Sequence, residues 1–501
     1  MQIKVKTGRI DLTEDEAILL HCSQDSIKFS VMLKAIDNRL SGAIRHLFET
    51  NDFTGDLGQT AVLYPQGKLK SKRIILAGLG KRNEITIEKF RRAYGFAGRK
   101  VKELKIKSIS AQAIEPDLPA IKLNEASQAM VEGILLANYK LDRYKTGEES
   151  KRISLQNITI LEQDHKRIAE IEKGVREGEI SSWATNLTRD LANQPSNYLT
   201  PERLADQARK LALENRMKCR IFSKLQIKKL GMNAFLAVAS GSSQPPKLIV
   251  LEYSPPQKKF NTVALVGKGI TFDAGGLSLK STDDMLEMKA DMMGGAVVIS
   301  TLTSCAKMKL PLHLIGIIPA AENLPSGSAL KVGDIITSHS GKTIEVLNTD
   351  AEGRLILADA LSFARSFNPD VIIDVATLTS GIKYALGNVY AGVFSNRDGL
   401  VTGIIQAGEK TGERVWEMPL GDEYMEFLKS DLADMKNVGG KWGAASIAAI
   451  FLNNFVGDFP WLHVDIAGVD FKDKDDSYWS KGTTGFGARL LLRFLRDWEK
   501  I

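Results

Sequence analysis

The sequence has little cysteine, little histidine and no long apolar run. Its 501 residues include only Cys22, Cys219 and Cys305, which lie far apart, so it offers no disulfide framework and no Cys-x-x-Cys motif. The six histidines are scattered, with no His-x-x-x-His pair. The first residues lack a cationic stretch followed by an apolar one, and no apolar run approaches membrane-spanning length. We therefore expect a cytoplasmic protein without a signal peptide or membrane segment.

What is present is the composition of an ordinary globular protein, with 44% apolar and 25% charged residues. The length predicts two domains. Residues 1–165 alternate strand-like and helix-like runs. Strands are expected at Ala17–Cys22, Arg73–Ala77 and Ser108–Gln112, with an amphipathic helix at Ile87–Leu104 between the last two. This alternation predicts a smaller N-terminal α/β domain with a parallel component. We expect this domain to act in assembly or regulation.

Residues 166–194 predict a helical linker, and residues 195–501 a larger α/β domain. Short apolar runs typical of buried strands occur there at Leu248–Leu251, Thr262–Val266, His313–Ile318, Val371–Val375 and Trp461–Val464. Helical runs lie between several of them, at Ala296–Ala306, Leu355–Phe367 and Ala444–Phe455. The pattern predicts a mostly parallel or mixed central sheet covered by helices on both faces.

Positive charge is concentrated in one window of the N-terminal domain. Residues 81–107 hold ten Lys or Arg against three Glu, an excess of +7, which equals the formal charge of the whole chain. Such a window is compatible with a surface that binds nucleic acid. A solvated helix face is the alternative interpretation, and the sequence favours it.

The most distinctive acidic segment is the turn Asn348–Leu355. It places Asp350, Glu352 and Arg354 between a strand-like run, Lys342–Leu347, and the helical run that begins at Leu355. Ligands bind at such strand ends in open α/β sheets, and a helix N-terminus suits an anion. The alternative is an acidic first helical turn that offsets the helix dipole.

Further carboxylates and lysines follow the strand Thr262–Val266. Lys268, Asp273 and Lys280 flank glycines there, and Asp291 lies where the helical run at Ala296 begins. Singly, each has a structural explanation, as a turn aspartate, a helix N-cap or a surface charge. Asp273 and Asp291, together with Asp350 and Glu352, make four carboxylates at strand ends or helix starts, without a matching cluster of arginines. Such a set would repel itself unless cations neutralise it, and an oxygen-rich site favours Mn²⁺, Mg²⁺ or Zn²⁺. A pair of metals could activate a water.

Three segments carry a specific resemblance. VGKGITFDAGGLSLK, MKADMMGG and NTDAEGRL closely resemble the signature segments of the leucyl aminopeptidase (cytosol aminopeptidase) family, and the likeness extends over almost all of residues 190–490. The first 165 residues resemble the family only in length and general α/β character. Gly-x-Ser-x-Gly and His-Glu-x-x-His motifs are absent, which speaks against other hydrolase classes.

The resemblance implies a leucyl aminopeptidase that removes N-terminal residues, with leucine-like side chains preferred, from peptides. It implies two divalent cations per subunit, Mn²⁺ or Zn²⁺, held by Lys268, Asp273, Asp291, Asp350 and Glu352. Lys280 would stabilise the oxyanion, and Arg354 would hold a bicarbonate that acts as general base. Substrate side chains would meet Met288, Asn348, Thr377, Leu378 and Ala467, and the assembly would be a homohexamer.

Some positions depart from the usual family pattern. Ser380-Gly381 stands where Gly-Ala is common, Val332 stands where proline is usual, and Asp470 adds a charge close to the substrate-pocket segment. These departures bear on substrate preference and not on the reaction. Two competing interpretations remain, a DNA-binding protein whose peptidase activity is incidental and a catalytically silent scaffold. Some bacterial members of the family also bind DNA, so the first can coexist with peptidase activity. The second is weak because every implied ligand is present.

Overall fold

The computed structural model describes residues 1–24, 31–114, 121–147, 155–255 and 260–498. The chain divides into two compact units. Unit 1 comprises Met1–Trp183 together with Asp473–Lys481, and unit 2 comprises Ala184–Lys472 and the chain from Gly482. Both are α/β structures with mixed sheets, which confirms the fold class. No described helix is both long and apolar enough to cross a membrane.

Within its described residues, unit 1 forms one sheet of order β1-β6-β5-β2-β4-β3. All neighbours in it are parallel except β3 and β4. The strands are β1 Gln2–Thr7, β2 Ala17–Cys22, β3 Thr60–Leu63, β4 Arg73–Gly78, β5 Ser108–Gln112 and β6 Asn157–Glu162. The helices are α1 Val31–Arg39, α2 Ala43–Glu49, α3 Ile87–Glu103, α4 Leu123–Ala137 and α5 Ile168–Ala192, whose residues fall in both units.

Strand β2 shows why this sheet is covered on both faces. Every residue of β2 is buried, and successive side chains point to opposite faces. Leu19 belongs to a core with residues of α3 and α4, whereas Leu20 belongs to a second core with residues of α1 and α2. Parallel strands covered on both sides are mostly apolar, which is why the largely apolar run Ala17–Cys22 predicted this strand correctly.

Unit 2 contains a larger mixed sheet of order β16-β15-β18-β14-β9-β11-β8-β7, with β10 added beside β11. Its strands are β7 Lys218–Phe222, β8 Lys247–Tyr253, β9 Asn261–Gly267, β10 Gly269–Asp273, β11 Leu312–Asn323, β14 Val371–Ala376, β15 Ala391–Ser395, β16 Val415–Glu417 and β18 Trp461–Asp465. A small sheet joins β12 Ile335–Thr337, β13 Thr343–Glu345 and β17 Met435–Lys436, and β19 Phe471–Lys472 pairs with β20 Gly482–Thr483.

The helices of unit 2 cover both faces of its large sheet. They are α6 Pro201–Glu214, α7 Lys224–Lys229, α8 Asn233–Val238, α9 Thr282–Met285, α10 Met293–Met308, α11 Glu352–Ala364, α12 Ser380–Leu386, α13 Asp398–Thr411, α14 Ala444–Val456 and α15 Ala488–Arg496. Residues of α8, α11 and α14 share one core with alternate residues of β9, β11 and β14. Helix α10 packs on β9, β11 and β14 as well, next to Gly316, which is not part of that core.

Four strands at the centre of this sheet run parallel, and this direction positions the site. Strands β9, β11, β14 and β18 are parallel to their neighbours in that group, so their carboxyl ends lie at one edge of the sheet. The strands and helices predicted in this region are all present. The strand-like run Lys342–Leu347 supplies β13 to the small sheet, a membership that the sequence did not indicate.

Helices α3 and α4 of unit 1 cross closely, and this crossing gives a stability prediction. A Cβ added at Gly133 of α4 would lie 2.4 Å from the carbonyl oxygen of Arg91 in α3. Alanine normally favours a helix over glycine by about 1 kcal/mol, so any loss in Gly133→Ala reports packing. We expect Gly133→Ala to lower the melting temperature, at a cost of about 1–3 kcal/mol for overpacking. Gly147→Ala is the control, because its added methyl group meets open space. Equal melting temperatures for both variants would contradict the prediction.

Candidate metal centre

The carboxyl edge of the large sheet gathers the acidic and basic residues singled out in the sequence. Lys268 directly follows β9, and β10 ends at Asp273. Asp291 lies two residues before α10, and Glu352 is the first residue of α11. Because these elements meet at one edge, residues spread over more than 80 positions of sequence become neighbours.

Lys268 is the most deeply buried cation of the cluster. Its Nζ lies 2.9 Å from Oδ2 of Asp291 and 2.8 Å from Oε1 of Glu352, and its side chain is 4% exposed. The Nζ also donates to the carbonyl oxygen of Thr377 at 3.0 Å. Gly353 permits this approach, since a Cβ there would lie 2.7 Å from the lysine Nζ. Burial opposes charge on Lys268, but Asp291, Glu352 and Asp273 outweigh it and raise the pKa.

Lys280 bridges the other two carboxylates. Its Nζ lies 3.0 Å from Oδ2 of Asp273 and 2.5 Å from Oδ1 of Asp350, and its side chain is 15% exposed. Oxygen atoms of Asp273, Asp350 and Glu352 lie within 4.8 Å of one another. The structure therefore brings together the four carboxylates and both lysines that the sequence singled out. The alternative that the lysines are surface charges is wrong.

The cluster has more negative charge than its two lysines neutralise. Burial, reinforced by the other carboxylates, raises the pKa of Asp291 and of Glu352, and it raises that of Asp350 with Asp273 adding to the effect. Oε2 of Glu352 is buried without a hydrogen-bond partner among the described residues. Buried carboxylate oxygens with excess charge and unfilled acceptors are the donor set that divalent cations prefer. The residues present therefore fit metal ions.

The structural explanation offered for Asp291 is wrong, whereas the one offered for Asp273 is correct in part. Asp291 is not a helix cap, because the residue at the N-cap of α10 is Met292, and the Asp291 carboxylate instead accepts a hydrogen bond from Oγ1 of Thr377 at 2.7 Å. Asp273 does act within a turn, since its Oδ1 accepts from the N–H of Gly275 at 2.9 Å. Its other oxygen nevertheless pairs with Lys280. The turn and the cluster thus use different oxygens.

A layer of amide and hydroxyl groups that the sequence reasoning missed holds these carboxylates. Nδ2 of Asn323 donates to Oδ1 of Asp273 at 2.8 Å and to the carbonyl oxygen of Thr349 at 3.0 Å. Oγ1 of Thr349 donates to the carbonyl oxygen of Gly275 at 2.7 Å and accepts from the N–H of Ser278 at 2.8 Å. These bonds tie the loop after β10 to the turn before α11. Gly275, Ser278 and Thr349 lie inside the quoted motifs, whereas Asn323 lies outside them.

Asn437 fixes the same turn from the other side. Its Nδ2 donates to the carbonyl oxygen of Asn348 at 2.6 Å, and its Oδ1 accepts from the N–H of Leu347 at 2.9 Å. Its own carbonyl oxygen accepts from Nη1 of Arg354 at 2.7 Å. Arg354 is 7% exposed and forms no ion pair with any described residue, and its Nε lacks a hydrogen-bond partner there. Burial lowers the pKa of Arg354 to about 10, against the opposing charges of Glu352 and Asp465, so it is cationic at neutral pH.

The five residues expected to contact substrate lie around this cluster. Met288 begins a 3₁₀ turn that ends just before Asp291, and Asn348 accepts from the N–H of Asp350 at 2.8 Å. The N–H groups of Leu378 and Ala467 both donate to Oδ1 of Asp465, at 3.1 and 3.2 Å. Thr377 joins them through its bond to Asp291. The strand ends of β14 and β18 therefore place Leu378 and Ala467 side by side.

Comparison with known families gives two matches. The catalytic-domain model of the cytosol aminopeptidase family matches residues 186–492, and the N-terminal-domain model of the same family matches residues 22–148. The second match was not expected, because the first 165 residues resemble the family only in length and general α/β character.

Similar proteins cover nearly the whole chain. A probable cytosol aminopeptidase of Geobacter sp. (strain M21) is 42% identical over 97% of this chain and 99% of its own length. One from Alkaliphilus oremlandii (strain OhILAs) is 39% identical over 100% of both chains. Among solved structures, a tomato leucine aminopeptidase mutant has a TM-score of 0.90 and 31% identity, covering 99% of this chain and 96% of its own. The bottromycin maturation enzyme BotP in complex with Mn has a TM-score of 0.86 and 32% identity, covering 97% and 99%.

The excess of carboxylates predicts that metal binding stabilises the protein through Glu352. Adding Mn²⁺ should raise the melting temperature of the wild type, because binding at 100 times Kd contributes about 2.7 kcal/mol. Glu352→Gln keeps the side-chain size and removes the charge, so we expect a much smaller rise and less metal per subunit by elemental analysis. Glu409→Gln, at an exposed position of α13, is the matched control and should behave as the wild type. A full Mn²⁺ response in Glu352→Gln would show that Glu352 is not a ligand.

Proposed function

Because this chain belongs to the cytosol aminopeptidase family and is a metal-dependent aminopeptidase, we propose that it hydrolyses the N-terminal peptide bond by a two-metal mechanism. The substrates are peptides whose first residue has a leucine-like side chain. The observation that carries the proposal is the cluster of four carboxylates, two lysines and one buried arginine at the carboxyl edge of the sheet. Peptide hydrolysis needs an activated water, a polarised carbonyl and a stabilised oxyanion, and this set of groups can provide all three.

The proposed ligands divide into two overlapping sets. The first cation would be held by Lys268, Asp273, Asp291 and Glu352, and the second by Asp273, Asp350 and Glu352, with the backbone carbonyl of Asp350 included. When bound, a pair of Mn²⁺ or Zn²⁺ ions supplies Lewis-acid chemistry, lowering the pKa of a water and polarising the substrate carbonyl. The proximity of the oxygens of Asp273, Asp350 and Glu352, within 4.8 Å, supports the shared ligands.

Lys268 has to be neutral to serve as a ligand. Its ammonium is retained by the negative charges of Asp291 and Glu352, which raise its pKa together with Asp273. Dications shared by the same carboxylates would cancel that negative potential and oppose a positive charge on Nζ. The buried position of Lys268, with a side chain 4% exposed, leaves no room for a hydrated ammonium.

Lys280 is suited to a different role. Its side chain is more exposed than that of Lys268, at 15% against 4%, so it is the more accessible lysine of the cluster. Burial opposes its charge, but Asp273, Glu352 and Asp350 prevail and raise its pKa, so it remains an ammonium at neutral pH. A fixed cation there can donate to the oxygen that becomes negatively charged in the tetrahedral intermediate.

Arg354 supports a bound anion. A guanidinium that is 7% exposed, without an ion pair and with Nε unbonded among the described residues, leaves donors for a small carboxylate-like ion. We assign this place to bicarbonate, whose oxygen would accept the proton of the attacking water. The bond from Nη1 of Arg354 to the carbonyl oxygen of Asn437 orients the guanidinium for that purpose.

The proposal extends to assembly and location. The resemblance supports a homohexamer, and the names of the relatives support a place in the cytoplasm. The interpretation of residues 81–107 as a DNA-binding surface gains no support from the described contacts. With partners among the described residues alone, at least six of its cations form ion pairs with carboxylates of unit 1, namely Lys81, Lys89, Arg91, Arg92, Arg99 and Lys100. The contacts thus favour a structural role for this charge.

Lys280→Ala tests the role of the accessible lysine. We expect turnover of leucine p-nitroanilide to fall about 10²–10³-fold, the usual loss when one oxyanion donor is removed, while metal content is preserved. Lys331→Ala removes an exposed lysine paired with Asp334 and should leave turnover unchanged. Turnover like that of the wild type in Lys280→Ala would refute the assigned role.

Arg354→Ala tests the anion. In the wild type, turnover should fall in buffers freed of carbonate and recover when bicarbonate is added. In Arg354→Ala most turnover should be lost, with no recovery on adding bicarbonate and with metal content intact. Arg397→Ala, at an exposed position before α13, serves as the control. A wild-type rate that ignores bicarbonate would contradict the proposal for Arg354.

A further inference from the structure

Asp470 is a charge at the substrate pocket that the reaction described above does not use. It follows β18 in the turn Ile466–Asp470 and is half-buried. Its Oδ1 accepts a hydrogen bond from the N–H of Gly468 at 3.0 Å, and its carbonyl oxygen accepts from the N–H of Thr484 at 2.8 Å. Both ends of the residue are thus fixed, and the carboxylate folds back toward Ala467 and Gly468.

Two neighbouring contacts place this carboxylate among the residues proposed to meet the substrate. Asp465 holds the N–H groups of Leu378 and Ala467 on one oxygen, so these two residues flank the start of the Asp470 turn. On another side, the negative charge of Glu287, which directly precedes Met288, acts on Asp470. Asp470 is therefore three residues from Ala467 in the chain and near enough to Glu287, the neighbour of Met288, for the two charges to interact.

The carboxylate is charged at neutral pH and has no cation of its own. Burial raises the pKa of Asp470 to about 6; the Gly468 N–H opposes the rise, Glu287 adds to it and Lys383 opposes it. Asp470 forms no ion pair with any described residue, and Lys383 remains exposed on α12. A half-buried anion whose only side-chain hydrogen bond to another described residue comes from one backbone N–H retains capacity to accept from a ligand.

We propose that Asp470 extends the specificity of the pocket to N-terminal residues whose side chains end in a cation, lysine and arginine. The inference rests on the proposed function, because it concerns the same pocket. The aliphatic stem of lysine or arginine can lie against Met288, Leu378 and Ala467 as a leucine side chain would. The terminal cation then pairs with Asp470, whereas a purely apolar pocket would have to desolvate that charge without compensation.

Asp470→Asn separates this role from a structural one. The asparagine keeps an oxygen that can accept from the Gly468 N–H and removes the charge. We expect kcat/KM for lysine and arginine p-nitroanilides to fall about tenfold or more, chiefly through KM, with kcat/KM for leucine p-nitroanilide within about threefold of the wild type. Equal losses on all three substrates would mean that Asp470 only shapes its turn, and this would overturn the proposal, as would no change on any.

Asp458→Asn is the matched control. Asp458 is exposed and precedes β18, so it lies at the amino end of that strand, opposite the edge that carries the site. The Asp458→Asn substitution changes the net charge as much as Asp470→Asn does. It should leave the ratio of kcat/KM for lysine over leucine p-nitroanilide unchanged. A fall in that ratio as large as the one in Asp470→Asn would assign the effect to overall charge and overturn the proposal.

The wild type alone gives a second measurement, should Asp470→Asn fail to fold. Protonation of Asp470 removes its charge, so the ratio of kcat/KM for lysine over leucine p-nitroanilide should fall as the pH drops through about 6. Taking the ratio cancels the pH dependence of the shared catalytic groups. A ratio that stays flat between pH 5 and about 8 contradicts the proposal. Absence of leucine p-nitroanilide hydrolysis would instead mean that the proposed function itself has failed.

Discussion

Repulsion between buried carboxylates is the constraint around which unit 2 is arranged. Asp273, Asp291, Asp350 and Glu352 can lie together only if positive charge lies among them. Lys268 and Lys280 each pair with two of the four, at distances between 2.5 and 3.0 Å. This arrangement leaves an excess of negative charge, and a metal-dependent peptidase uses that excess to retain its cations. The same repulsion that costs folding free energy therefore provides binding free energy.

The sheet lowers the free-energy cost of this cluster because residues at its strand ends fix the carboxylates by hydrogen bonds. Strands β9, β11, β14 and β18 end at one edge, where Asn323 at the end of β11 donates to Asp273 and Thr377 directly after β14 donates to Asp291. Thr349, in the turn before α11, donates to the carbonyl oxygen of Gly275 and so fixes the loop after β10. Asn437 and Asp465 extend the same support to Arg354 and to the pocket segments. Fixed oxygens lose little further freedom when an ion binds, so the site is preorganised.

Unit 1 shows how charge in a sequence differs from charge on a surface. The basic residues of α3 meet carboxylates that are distant along the chain. Arg91 pairs with Glu132 of α4, and Arg92 and Arg99 pair with Asp476 and Asp475. The last two belong to the segment Asp473–Lys481, which falls within unit 1 although it is nearly 400 residues away in sequence. A net charge counted over residues 81–107 cannot include such partners.

The sequence by itself determined the α/β class, the central strands and helices, and the identity of the acidic and basic residues at the site. It could do so because burial on both faces makes strands continuously apolar, and because the motifs around Asp273, Asp291 and Asp350 are long and specific. It did not determine which sheet β13 joins, that Asp473–Lys481 belongs to unit 1, or that Asn323 and Asn437 hold the segments that carry Asp273 and Asp350. Only the tertiary structure decided these points. Each depends on contacts between residues far apart in the chain, and local periodicity contains no information about such pairs.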